Sequence, residues 1–174
     1  MQRCDFKSIK VECTVNATLS QIVVFLLDVD KQKEWVYSNK STRLIRRIAP
    51  NEIIYHAELE APWPFTNRDY VSHITITQQI PHSLTIEAKT VSGIVPETPG
   101  IVRVKSSQAL WEVTSMNKGQ QKIVYTVQFD PSGALPAWLV NMFVTKGPFQ
   151  TFQKLKEYIG RPEYKNAHVE FIKD

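Results

Sequence analysis

A chain of 174 residues with 43% hydrophobic and 22% charged side chains has the make-up of one ordinary soluble domain. Lysine and arginine total 21 against 17 acidic residues, and the resulting charge of +4 is scattered, which argues against a nucleic-acid surface. The longest apolar run, Ile22 to Leu27, has six residues, against the ~20 a membrane span needs.

In chain order, Phe6 to Val15 alternates as a strand does. The residues before it lack the apolar stretch of a signal peptide, so a cytoplasmic location is expected. Cys4 and Cys13 fit no metal or redox spacing and are read as free thiols in a reducing compartment. Thr18 with Gln21 makes a capping-box pattern ahead of Ile22, Val23, Phe25, Leu26 and Leu27, which predicts a short buried helix ending near Asp28 to Asp30. Trp35 follows in a turn. Arg43, Arg46 and Arg47, threaded by Leu44, Ile45 and Ile48, read as one strand with a weak attraction for anionic headgroups.

From Thr42 to Phe129 the pattern is strand after strand. Ile53 to Leu59, Tyr70 to Thr77, Ser83 to Val91, Ile101 to Ser106, Ala109 to Thr114 and Ile123 to Phe129 alternate as half-covered antiparallel strands do. The period then changes. Pro136 to Tyr158 reads as one helix of about 23 residues, on the order of 35 Å long. Pro136 suits a first turn, Gly160 and Pro162 a stop, and Pro148 predicts a bend. Phe149, Phe152, Leu155 and Ile159 form one apolar face, whereas Trp138 to Val144 is apolar nearly all round.

The fold class these elements imply is α+β: a curved antiparallel sheet wrapped around a long C-terminal helix, in a single domain over residues 1–174. A gap between sheet and helix, lined by inward Leu, Ile, Tyr and Phe, is expected to hold several hundred Å³ and to admit a ligand.

Several motifs carry a family likeness. Pro62-Trp63-Pro64 precedes Asn67-Arg68-Asp69-Tyr70-Val71. Gly100 to Arg103 leads to Trp111, Asp130 to Gly133 leads to Pro136 to Asn141, and Trp35 follows the first helix. In this order, from about Phe6 to Tyr158, they resemble the START (steroidogenic-acute-regulatory-related lipid transfer) family of the helix-grip, Bet v 1-like superfamily. Members usually begin with a further helix and two strands, for which there is no room before Phe6. The chain therefore resembles a shorter bacterial-type member or a shortened one, with one sheet edge left open to pairing.

The resemblance implies non-catalytic binding, and transfer, of a hydrophobic small molecule or lipid, with transient membrane contact, no cofactor, no metal and no nucleic acid. The candidate ligand-binding residues are Tyr55, Leu59, Ile74, Ile76, Leu84, Ile86, Arg103, Trp111, Tyr125, Val127, Phe129, Met142, Phe149 and Phe152. The plain alternative for each apolar one is a solid core. A ligand burying ten methylenes at ~0.8 kcal/mol each would gain roughly 8 kcal/mol before entropy costs. Arg68 and Asp69 either orient a headgroup at the cavity end or anchor the turn into their strand, and the structural role is preferred. Arg103, in an apolar strand, needs an acid or a ligand oxygen if buried; the alternative is an outward place on a solvated face. Cholesterol-binding members carry a basic residue near the position of Ile74, so the resemblance does not point to a sterol. Trp138 to Val144 and the loop Val91 to Gly100 are the candidate gate. The four dispersed histidines, His56, His73, His82 and His168, show no metal spacing or nucleophile elbow. The alternatives are a polyketide cyclase or aromatase of the same superfamily, using Tyr55, Ser72, Arg103 and Tyr125, or an interaction module with a filled cavity.

Overall fold

A computed structural model of the protein describes residues 8–133 and 135–174. Strand β1 (Ser8–Asn16) is followed by α1 (Leu19–Leu27). Phe6 and Cys4 lie outside the described residues. The capping box is formed: the Gln21 amide donates to Thr18 Oγ1 at 3.1 Å, and the Thr18 amide donates to Gln21 Oε1 at 3.4 Å. Two of the helix's orphan amide donors are thereby satisfied at its start. A single 3-10 turn, Val29–Lys31, leads into α2 (Gln32–Trp35). Trp35 therefore closes a short helix instead of lying in a turn, and its ring is buried 4.7 Å from that of Phe25.

Seven further strands follow: β2 (Asn39–Ala49), β3 (Glu52–Leu59), β4 (Arg68–Thr77), β5 (Ser83–Thr90), β6 (Val102–Arg103), β7 (Ser106–Ser115) and β8 (Gln120–Asp130). They form one curved sheet in the order β1-β8-β7-β5-β4-β3-β2, with every neighbouring pair antiparallel. The stretch Ile101 to Ser106 departs from the expected strand. Val102–Arg103 pairs parallel to β4, with Val102 beside Arg68 and Arg103 beside Asp69, whereas Ser106 already begins β7. Beyond Ser72, where β5 has ended at Thr90, β6 supplies the hydrogen bonds that β4 would otherwise lack. At one edge of the sheet, β2 shifts register against β3 at three places and carries Arg43, Arg46 and Arg47.

The long helix consists of α3 (Ala137–Asn141), a π-helical turn (Met142–Lys146) and α4 (Gly147–Tyr158), 22 residues in all. The turn ahead of Pro148 is widened, with the Gly147 amide reaching back to the Met142 carbonyl. Such turns accommodate an irregularity in the α-helical ladder. Phe152, Leu155 and Ile159 are buried against the sheet and α1. Phe149 departs from the expected apolar face: it is 62% exposed. The buried stripe runs through Val144, Phe152, Leu155 and Ile159 with Pro148 between, so Phe149 sits one residue off it.

After the helix the chain turns back onto α1. Tyr164 and Ile172 enter the core, the Tyr164 hydroxyl donates to Asp28 at 2.8 Å, and Gln21 Nε2 donates to the Ile159 carbonyl at 2.6 Å. Nothing in the turn chemistry at Gly160 and Pro162 indicates that docking. The apolar Tyr164, Val169, Phe171 and Ile172 are the signal for it. Among the described residues no helix is long and apolar enough to cross a membrane.

Candidate functional site

The strands curve around α4, and the two surfaces part to leave a cavity of about 190 Å³. Residues of one face of the central strands reach it: Tyr55 and Leu59 on β3, Tyr70, Ser72 and Ile74 on β4, Ile86, Ala88 and Thr90 on β5. β7 contributes Ser107, Ala109 and Trp111, and β8 contributes Tyr125, Val127 and Phe129. Phe143, Val144, Pro148, Thr151 and Phe152 close it from the helix, and Gln32 and Trp35 from α2. The volume falls below the several hundred Å³ expected from the sequence. The helix packs tightly at this level: a Cβ on Gly147 would lie 3.1 Å from the Tyr37 ring, and the Tyr37 amide donates to Thr151 Oγ1 at 3.0 Å.

What leaves the hollow open is visible only in the pairing. Ala88 and Ala109 stand directly opposite each other on β5 and β7, two methyl groups where neighbouring pairs match larger side chains such as Ile86 with Trp111. One end is filled by an aromatic group: Phe152 lies 5.0 Å from Trp111 and 5.2 Å from Tyr125, whose rings are 4.7 Å apart.

Of the fourteen candidates, Tyr55, Leu59, Ile74, Ile86, Trp111, Tyr125, Val127, Phe129 and Phe152 line the cavity. Ile76 and Leu84 continue the same strand faces but sit where the core is solid, with Ile76 paired to Ile86 and Leu84 to Val113. Met142 is half-buried and Phe149 faces water, both off the lining stripe. Arg103 is elsewhere as well. Its acid partner is Asp69, and strand alternation puts both on the outer face of the sheet. Nε donates to Asp69 Oδ1 at 2.8 Å and Nη2 to Oδ2 at 2.9 Å. Nη1 and Nη2 also reach the carbonyls of Val95 and Pro96 at 2.9 and 3.1 Å, fixing the loop before β6 to the sheet. His56 Nε2 makes a third contact with Asp69, at 2.9 Å. Sequence reasoning missed Tyr70, Gln32, Ala88 and Ala109 as cavity residues; the Tyr70, Ser72, Ile74 alternation was the available signal for the first.

The electrostatics of the wall are those of neutral hydroxyls. Burial pushes the Tyr55 phenol up, against its hydroxyl partners Tyr70 and Ser72, which pull it down. Burial pushes Tyr70 far up, with Tyr55 adding to the effect, and also raises Tyr125. None of the three is a phenolate near neutral pH. Among the described residues no cluster of His, Cys, Asp or Glu could hold a metal ion. Chemically the cavity offers apolar contact and a few hydrogen-bonding groups, the usual make-up of a small-molecule site.

The comparisons agree with this geometry. The START domain profile matches residues 2–165. Human START domain-containing protein 10 is 28% identical over 152 residues, 85% of this chain and 51% of its own. Mouse phosphatidylcholine transfer protein is 28% identical over 132 residues, 70% of this chain and 58% of its own. An uncharacterized protein of Pseudomonas aeruginosa is 25% identical over 156 residues, covering 90% of this chain and 77% of its own. The chain thus spans little more than half the length of these mammalian relatives. Among solved structures, a STAR-related lipid transfer protein fragment from Xanthomonas axonopodis superposes with a TM-score of 0.82 at 23% identity, covering 92% of this chain and 90% of the other. A Streptomyces aromatase/cyclase shares the fold with a TM-score of 0.61 at 9% identity, covering 88% and 91%. By the extent of the profile match and the sheet-and-helix architecture, the chain belongs to the START domain family.

Proposed function

We propose that the protein binds a hydrophobic ligand of the lipid class in the cavity under its C-terminal helix and transfers it between membranes. The observation that carries this reading is the cavity itself: a hollow between sheet and helix with aliphatic and aromatic walls, kept open by the Ala88–Ala109 pair. The relatives named for START domains and phosphatidylcholine transfer support it. At about 190 Å³ the hollow is smaller than the ~300–1,000 Å³ of drug-sized sites. A lipid therefore needs the hollow to widen, by movement of the helix or of the loop held by Arg103.

The test is to fill the space. Ala109→Phe places an aromatic ring in the hollow opposite Ala88. In native mass spectrometry of protein purified from cells, wild type is expected to carry a lipid mass and the folded variant at least tenfold less. Equal occupancy in the two would remove the cavity as the binding site.

Membrane contact is assigned to the end of the molecule where β4 begins. Trp63, in the loop before it, is 92% exposed, and Trp138, at the start of α3, is 56% exposed. The two segments touch through the rings of Phe65 and Trp138, 5.7 Å apart. Exposed tryptophans favour the lipid–water interface. Trp63→Ala with Trp138→Ala is expected to lower liposome co-sedimentation about tenfold without changing the melting temperature by more than a few degrees. Undiminished sedimentation would place the contact elsewhere. Val144, the other end of the expected gate, is 1% exposed and belongs to the helix's inner side.

The cyclase reading loses a participant. Of Tyr55, Ser72, Arg103 and Tyr125, Arg103 is outside the cavity and engaged with Asp69. The phenols that remain are un-ionised.

A further inference from the structure

Arg68 is 4% exposed, and among the described residues it is the buried charged side chain without an oppositely charged partner. Asp69 and Arg103, the other two, have each other. One guanidinium nitrogen of Arg68, Nη1, donates to the Thr66 carbonyl, while Nε is buried with no acceptor at all. Taking an arginine out of water is costly, and proteins ordinarily supply an anion with it. Burial pulls the Arg68 guanidinium below its usual range with no neighbouring charge opposing the shift, yet it remains a cation.

Its place in the fold shows where an anion would come from. Arg68 is followed at every second position of β4 by Tyr70, Ser72 and Ile74, all of which line the cavity. Directly across on β3 is Leu59, another lining residue. Arg68 therefore stands on the concave face, at the end of the hollow where β4 begins, between β3 and β6. A second buried donor without an acceptor lies in the cavity wall, the indole N–H of Trp35. Two buried donors at or beside the hollow, Arg68 Nε and the Trp35 indole, are thus without acceptors, and no carboxylate lines the wall.

We propose that Arg68 receives the anionic oxygens of the ligand's headgroup, a carboxylate or a phosphate. This rests on the cavity-binding reading above and narrows it: the preferred ligand is an anionic amphiphile, with its tail along the apolar wall and its oxygens at the start of β4. A guanidinium holds either oxyanion through two parallel N–H bonds, so the same site fits a fatty acid or a phospholipid phosphate.

Calorimetric titration with decanoate, decyl phosphate and decanol tests the assignment, because the three share one tail. Wild type is expected to bind at least one of the anions about tenfold or more tightly than the alcohol, as a charge-assisted bond in a dry site implies. The preferred anion separates a fatty-acid source from a phospholipid one. Arg68→Gln is expected to bring the anions to the level of decanol, and Arg68→Lys to restore part of the difference. Anions bound no better than decanol by wild type would overturn the proposal, and that arm needs no variant to fold. So would a folded Arg68→Gln that keeps the preference. Decanol reports the cavity alone: its binding without an anion preference sinks only the role of Arg68, whereas failure of all three to bind sinks the cavity reading too.

Discussion

Asp69→Ala is expected to destabilise the fold by about 3–5 kcal/mol, measured by urea unfolding, because it strands a buried cation. In the native protein the Asp69 carboxylate takes two bonds from Arg103, at 2.8 and 2.9 Å, and a third contact from His56, also at 2.9 Å. Without it the Arg103 guanidinium retains the carbonyls of Val95 and Pro96 but no carboxylate bonded to it. The effect has a pH signature. Burial pushes the Asp69 carboxyl up, but the Arg103 guanidinium and His56 together outweigh it and hold the group below the usual carboxylate range. A depressed folded value means the stabilisation is complete above the unfolded pKa, about 3.9, and disappears as pH falls through the lower folded value. Wild type should therefore lose stability below about pH 4, and Asp69→Asn should lack that part of the decline. A loss under about 1 kcal/mol for Asp69→Ala at neutral pH would show that the pair is ornamental.

Phe152→Ala should cost about 3–5 kcal/mol, as buried phenylalanines do when a void replaces them. Phe152 is the point where the long helix meets the sheet, against Trp111 and Tyr125. Its removal enlarges the cavity and releases the helix at once, so ligand exchange should quicken as the melting temperature falls. Phe149→Ala, three residues earlier and exposed, is expected to change stability by no more than about 0.5 kcal/mol. Thermal melts of the two variants decide the face assignment. Equal losses would contradict it.

The local signals in the sequence were the dependable ones. Thr18 with Gln21 specifies its cap because both partners lie within one turn, and β3 and β8 alternate because one face of each meets the core. Errors arose where a partner far along the chain decided the outcome. Arg103 reads as a cation in an apolar strand, and only the parallel β6–β4 pairing puts it beside Asp69. Phe149 and Phe152 are equally apolar as letters, and the contact that separates them is with strands some forty residues earlier in the chain, at Trp111. The cavity's size was illegible for the same reason. It depends on Ala88 meeting Ala109 in register, and on how closely Gly147 lets the helix approach Tyr37. The family likeness identified the architecture but carried no information on these distances.

The widened turn at Met142–Lys146 settles which way the start of the helix looks. Leu139 and Val144 are both fully inside, five positions apart. In an unbroken α-helix five positions advance the phase by about 140° beyond a full revolution, which would swing one of the two into water. The slack in the turn absorbs that difference, so both aliphatic groups stay buried and the indole of Trp138 is left 56% exposed. Deleting a single residue there would re-aim the whole leading segment while leaving the sequence of α4 untouched.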